Sequence, residues 1–449
     1  MCRKSVSVIP DRHIEWVHEG DTWLDAGDTQ LRSLLAEMDV LRANPGGGLV
    51  MRFVGIILHG GRTIISLPKV RVSESEQQVH RHAFRAMRHY ANWRPNHHEP
   101  SPHLNDRPEK GPVSMLAAAD WLIRDFQSHG LLRRLDTAHE ISGAGITNWR
   151  KTVEAVHPVI SRGRPVYLDT ITRRSEHDNR NFGTRLHRYL LERLSLEYGS
   201  LLDVQPIVLD HEPVEMFDAL PSVEECTIRI MEEQRTTFSQ RGLDVLAMML
   251  ATVSALEIEN SRDLHLYGST SFHNVWEAAC GHVFGNARDD WTGSLPKPVW
   301  TSASGSTQTA ATFIPDLVTD LAPGELLIGD AKYFRLTMPP SLHGQPGVND
   351  IGKQIWYKQG LSNQAAKRGY SSIQNAFLFP TNDPEVGNLG WVEMPVGQEA
   401  VDAIAIPFLP ALAVYAGDAK HDPDHWRLAI TTVLHANAVA RQQRVKTCA

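Results

Sequence analysis

The chain has 449 residues, of which 42% are hydrophobic and 22% charged, and its formal net charge is −7. That length exceeds one typical domain and that composition excludes wholesale disorder, so about two or three folded units are expected. Cys2, Cys226, Cys280 and Cys448 are far apart and form no metal-ligand spacing. They argue against a disulfide framework and fit a reducing, cytoplasmic compartment. No leader pattern and no apolar run long enough to span a bilayer is visible, so no membrane is expected. A net negative average disfavours phosphate binding, yet Arg162, Arg164, Arg173, Arg174, Arg180, Arg185 and Arg188 cluster locally. Alone, such a cluster reads as solvated faces.

Residues 1 to about 47 form a mixed opening that ends in the loop signal NPGGG. The segment Leu49 to Val70 holds two apolar, β-branched runs joined by His59-Gly60-Gly61-Arg62, a hairpin that Pro68 terminates. A β-containing N-terminal module over 1–110 follows, for DNA recognition or partner binding. The Pro-, His- and Asn-rich stretch 95–112 reads as a loop, and its histidines as surface residues in preference to metal ligands. From 111 to 264 the spacing is mainly helical, in SMLAAADWLIRDFQSHGLLRRL, RLHRYLLERLSLEYGSLL and GLDVLAMMLATVSALE. GAGITNWRK and RGRPVYLDTITRR suggest a loop and a short strand between helices. From 265 to 449 the order becomes helix, hairpin, helix, strand, an α/β pattern.

The chemistry concentrates in FIPDLVTDLAPGELLIGDAKYF, Phe313 to Phe334. Asp316 and Asp330 lie 14 positions apart, and a turn near Pro323 places them opposite each other on a hairpin. Opposed residues project to one side, and Lys332 joins them by the period of two. Two carboxylates this close repel, which implies a divalent cation between them, and oxygen-only donors favour Mg²⁺ or Mn²⁺. Asp320, beside the turn, reads as a solvated loop residue. Upstream, SFHNVWEAACGHVFG forms a helix with Ser271 as N-cap and a Phe272, Trp276, Ala279, Val283 stripe. Glu277 sits one step off that stripe, within reach of the hairpin as a third acid. Downstream, Gln354 and Tyr357 share a helix face and could order a water, the lysine or a phosphate.

Glu277, Pro315-Asp316, Asp330-Ala331-Lys332, then Gln354 with Tyr357, is an order that resembles the PD-(D/E)xK nuclease superfamily. FHNVWEAACGHVFG, IPDLV, IGDAKYF and DIGKQIWYKQ, with FVGIILHGGRTIISLPKV and GAGITNWRKTV, look like the LlaJI family of restriction endonucleases, similar in turn to McrC of McrBC-type systems. The resemblance implies an α/β core with a central mixed sheet flanked by helices, in a chain that is α+β overall. It also implies Mg²⁺-dependent hydrolysis of double-stranded DNA in restriction or anti-phage defence. A McrB-like AAA+ GTPase and a DNA methyltransferase are the implied partners, and a homodimer is one possible state. By position, Asp316 and Asp330 become metal ligands, Lys332 the catalytic lysine, Glu277 an accessory acid, and Gln354 and Tyr357 site-ordering residues. The Ala331 carbonyl would complete the metal shell. The second acid is Asp where Glu is commoner, which the pattern tolerates. Lys353, Lys358, Lys367 and Arg368 follow the hairpin as candidate DNA contacts. A non-catalytic DNA-binding or assembly subunit and a nuclease acting on RNA or in repair remain alternatives.

Overall fold

In a computed structural model of the chain, the residues described are 14–23, 28–93, 115–211, 214–215, 217, 221–258, 264–394 and 399–448. The Pro- and His-rich stretch expected at 95–112 lies outside them. In chain order come β1 (Ile14–His18), α1 (Thr29–Glu37), β2 (Leu41–Ala43), β3 (Leu49–Met51), β4 (Val54–His59), β5 (Arg62–Leu67) and α2 (Glu76–Trp93). Next are α3 (Met115–His129), β6 (Leu135–Ile141), β7 (Ile146–Thr147), α4 (Trp149–Ala155), β8 (Val159–Ser161), β9 (Arg164–Val166), β10 (Ile171–His177), α5 (Phe182–Tyr198), α6 (Val223–Thr236) and α7 (Gln240–Ile258). Then follow β11 (Leu264–Ser269), α8 (Phe272–Phe284), α9 (Asp289–Thr292), β12 (Val299–Thr301), β13 (Thr307–Thr309), β14 (Leu317–Ala322), β15 (Glu325–Ala331) and α10 (Val348–Lys367). The chain closes with β16 (Ser372–Thr381), β17 (Gly387–Met394), β18 (Glu399–Pro407), α11 (Phe408–Ala416) and α12 (Pro423–Cys448).

These elements form two compact units, one from the described residues of 106–265 and the other from those of 12–105 and 266–449. Of the expected segments 1–110, 111–264 and 265–449, described residues of the first fall in the same compact unit as those of the third. The reason is strand pairing that local patterns do not encode. The N-terminal sheet has the order β1-β5-β4-β11, so a strand from beyond residue 263 completes it. Gly55 and Gly268 permit that pairing, because a Cβ on Gly268 would lie 2.2 Å from the Val54 carbonyl oxygen and 2.7 Å from Gly55 Cα. The expected hairpin is present as β4 and β5, and Gly60 and Gly61 both have positive φ (54° and 80°), as a tight two-residue turn requires.

In the same unit, the central sheet is five-stranded and mixed, in the order β14-β15-β16-β18-β17. β14 and β17 run antiparallel to their neighbours, while β15, β16 and β18 are parallel. Helix α10 is the crossover between β15 and β16. It covers the face bearing Val318, Leu326 and Ile328, where Tyr357, Leu361 and Ala365 pack against them. Helices α8, α11 and α12 also pack against this sheet, so the expected mixed sheet flanked by helices is observed. Phe272, Trp276, Ala279 and Val283 of α8 are all buried. Ser271 holds the N-cap position without a side-chain capping bond. Asp320, expected in the loop, lies instead on β14, where it is exposed and accepts a hydrogen bond from the Tyr370 hydroxyl at 2.5 Å.

The other unit is helical through α3, α5, α6 and α7, but it also carries the sheet β6-β10-β7 and the pair β8-β9, where sequence suggested one short strand. The Asn181 and Ser222 side chains cap α5 and α6. His187 of α5 is fully buried, with Nδ1 accepting from the Leu132 N–H at 3.0 Å and Nε2 without a partner among the described residues. Burial lowers its pKa to about 3. The unfolded chain therefore binds a proton that the folded chain refuses between about pH 6.5 and 3, so stability falls as pH drops through that window. At pH 5 the loss is about 2 kcal/mol. Urea unfolding at pH 7 and pH 5 should show the change between the two pH values to be about 2 kcal/mol less favourable in the parent than in His187→Gln, because other titrating groups contribute equally to both. Equal pH dependence in both would remove His187 as the cause. Cys226 and Cys280 are buried free thiols, and no helix among the described residues is long and apolar enough to cross a membrane.

Candidate active site

The hairpin β14–β15 turns at Pro323-Gly324, where Gly324 has φ of 79°. Its register pairs Leu317 with Gly329, so Asp316, one residue before β14, falls opposite Asp330. Alternation along the strands puts Asp316, Asp330 and Lys332 on the side of Val318 and Ile328, the side covered by α10. The apolar strands are thus the sheet interior, and the charged residues gather where that interior ends.

Each charged group is held. Asp316 Oδ2 accepts the Ala331 N–H at 2.9 Å. The Asn286 side-chain amide donates to the Asp316 carbonyl at 2.8 Å and accepts from the Val318 N–H at 3.0 Å, fixing the backbone around the aspartate. Asn286 follows Gly285, whose left-handed conformation ends α8, and the Thr319 hydroxyl donates to the Phe284 carbonyl at 2.8 Å. The end of α8 is therefore stitched to β14. Lys332 Nζ lies 2.7 Å from Asp330 Oδ2 and 3.1 Å from Asp350 Oδ1, with side-chain exposures of 16%, 16% and 31%. The Lys332 N–H continues the parallel ladder to the Leu378 carbonyl at 2.9 Å.

Burial pushes the Asp316 carboxyl up to about 9, and the charges of Asp330 and Glu277 add to the effect. Glu277, on α8, is thus close enough to act on Asp316. For Lys332, burial pulls the pKa down, but Asp330 and Asp350 outweigh it and the net direction is up. Tyr357 is raised by burial and then by Asp330, Asp316 and Asp350, and its hydroxyl donates to the Ile314 carbonyl at 3.0 Å, two residues before Asp316.

Gln354 is fully buried, and neither end of its amide has a hydrogen-bond partner among the described residues. It does not bond to Lys332 or the carboxylates; its main-chain carbonyl accepts instead from buried Asn375 at 2.7 Å. The four expected DNA contacts have different surroundings. Lys358 is paired with Glu399 at 2.7 Å, Arg368 lies over the Trp291 ring and donates to the Asp290 carbonyl, Lys353 lies 5.2 Å from the Phe313 ring centroid, and Lys367 is exposed.

Two supporting residues were missed by sequence reasoning. Asp350 stands four and seven positions before Gln354 and Tyr357, so helical spacing already aligned it with them. Asn286 left no such signal, because its role depends on where α8 stops against β14.

Among the described residues no three His, Cys, Asp or Glu side chains are arranged to hold a metal by themselves. The donor chemistry nevertheless suits a hard cation: oxygen-only carboxylates share a poorly solvated space that forces a proton onto Asp316. Mg²⁺ keeps several waters and needs only one or two carboxylates from the protein.

A mixed α/β sheet with an acidic, lysine-bearing site beside α10 is the class of protein these features define. The LlaJI restriction endonuclease family model matches residues 53–406, and the chain belongs to that family. It is 27% identical over 368 residues to the Type II restriction enzyme BsuMI component YdjA of Bacillus subtilis (strain 168), covering 78% of this chain and 77% of that protein. Among solved structures it is similar to a half-complex of Thermococcus gammatolerans McrB AAA+ hexamers with bound McrC, at TM-score 0.39 and 15% identity, over 94% of this chain and 100% of that one. The Thermococcus gammatolerans McrBC complex matches at TM-score 0.21 and 14% identity, over 55% of this chain and 86% of that one.

Proposed function

We propose that this protein is the DNA-cleaving component of a restriction system, an endodeoxyribonuclease that hydrolyses phosphodiester bonds with Mg²⁺ and works with a McrB-like GTPase. The observation that carries the reading is the convergence of Asp316, Asp330 and Lys332, with Asp316 driven up to about 9 by burial and its acidic neighbours. Asp316 and Asp330 would hold the cation, with Glu277 as accessory acid and the Ala331 carbonyl as a further oxygen. When bound, the cation offsets the charge that builds on the phosphoryl group.

Lys332 contributes a fixed positive charge at the edge of the carboxylate pair, where it orients the attacking water and neutralises phosphate oxygen. Asp350 restrains the lysine from the side of α10. Tyr357 fixes the chain before Asp316. Water attack on phosphorus breaks the bond to the leaving sugar oxygen, and no covalent enzyme intermediate is needed. The family and the B. subtilis relative support a restriction role, and the McrC-like sequence segments support the GTPase partner.

The test is incubation of plasmid DNA with the protein in Mg²⁺ or EDTA, alone and with a McrB-like GTPase and GTP. Cleavage is expected in Mg²⁺ only, and loss of cleavage in Asp330→Asn. Failure to cut under every condition, or full activity in Asp330→Asn, would sink the proposal.

A further inference from the structure

We infer that the β2–β3 hairpin of the N-terminal sheet region forms the second wall of the substrate groove, with Arg42 and Arg52 binding backbone phosphates beside the scissile one. This rests on the nuclease reading above. One cavity of about 640 Å³ is bordered by Glu277, Ala331 and Lys332 on one side and by Arg42, Asn44 and Arg52 on the other.

The strand register explains the second wall. Arg42 pairs with Val50, and the Arg52 N–H continues the ladder to the Val40 carbonyl. Residues 42, 44, 50 and 52 share one face of the hairpin, and these four line the cavity together with their neighbours Ala43 and Met51. Arg42 is exposed; Arg52 meets Asp39 at 4.0 Å, with both side chains solvated, so that pair holds the guanidinium weakly, and Arg52 also acts on the Glu19 carboxyl, which lines the same wall beside Lys69.

Lys69 has a different place on that wall. Its ammonium lies 4.3 Å from the Tyr333 ring centroid, and its N–H donates to the Tyr333 hydroxyl at 3.1 Å. Tyr333 adjoins Lys332, so this contact joins the basic wall to the end of the catalytic strand. Two arginines facing Lys332 and Glu277 across one groove suit a chain of phosphates, with one at Lys332 and its neighbours on Arg42 and Arg52. Lys358 and Arg368, by contrast, are already engaged within the protein.

The test uses the full chain carrying Asp330→Asn and an end-labelled DNA duplex, with Kd measured over a range of salt. Adding Arg42→Ala and Arg52→Ala is expected to weaken binding about tenfold and to make the slope of log K against log salt shallower by about two. The pair Arg42→Lys and Arg52→Lys should keep the slope, because it keeps the charges. An alanine pair that binds with unchanged Kd and slope overturns the inference, as does a loss shared equally by the lysine pair, which marks a folding effect. If the parent cleaves and binds DNA in those cases, only the groove assignment falls. If the parent neither cleaves nor binds, the nuclease reading falls and takes the groove with it.

Discussion

Replacing Lys332 by alanine is expected to slow DNA cleavage by about a thousandfold or more while duplex binding and folding persist. The ammonium sits 2.7 Å from Asp330 and 3.1 Å from Asp350 and is mostly shielded from water, so its charge acts in a medium that screens it poorly. Removing it leaves two carboxylates without their shared counter-ion. Because Asp350 remains 31% exposed, the cost in stability is only about 1–2 kcal/mol. Lys332→Arg should not restore activity, since a planar guanidinium cannot occupy the point position between two carboxylates. Asp350→Asn should slow the reaction less, by about tenfold, because Asp330 still holds the lysine. Single-turnover rates set beside duplex Kd values separate these effects. A Lys332→Ala protein that cleaves at the parental rate would remove Lys332 from the chemistry.

The hairpin bearing this lysine was legible because everything that defines it is local. Pro323-Gly324 marks the turn and the period of two sets the faces, but a turn that pairs Ala322 with Glu325 would by itself set Leu317 opposite Asp330; the register shift between Asp320 and Ala322 is what brings Leu317 to Gly329 and Asp316 to Asp330. Asp350 was equally legible, since its spacing from Gln354 and Tyr357 is helical; what sequence lacks is the knowledge that Lys332 reaches that helix. Partners far away in the chain were not readable. Charge patterning marks Lys358 and Arg368 as basic but cannot reveal Glu399 or Trp291. Nor does any local pattern show that β11 pairs onto β4, which brings residues 14–93 into the unit that holds the site. The glycines that allow the pairing, Gly55 and Gly268, look in sequence like ordinary interruptions of strands.

Asp316→Asn should abolish cleavage and, without divalent cations, make the protein more stable. Burial, Asp330 and Glu277 together raise the Asp316 pKa from 3.8 to about 9. Across that interval the folded protein keeps a proton that the unfolded chain releases. The stability linked to this group is therefore full below about pH 4 and is lost as pH rises toward 9. Asparagine has no proton to lose, and its oxygen can still accept the Ala331 N–H. In EDTA at pH 8 the variant should exceed the parent by about 1–2 kcal/mol, a gain of the size found when a strained functional site is relieved. The difference should vanish near pH 4. Mg²⁺ should raise the Tm of the parent, because it favours the ionised carboxylates, and should leave the Tm of the variant almost unchanged. Thermal unfolding at pH 4 and pH 8, with EDTA or Mg²⁺, measures all of these terms. A variant less stable than the parent at pH 8 in EDTA would show that the carboxylates are not in conflict. A parent Tm indifferent to Mg²⁺ would show that a cation is not what resolves it.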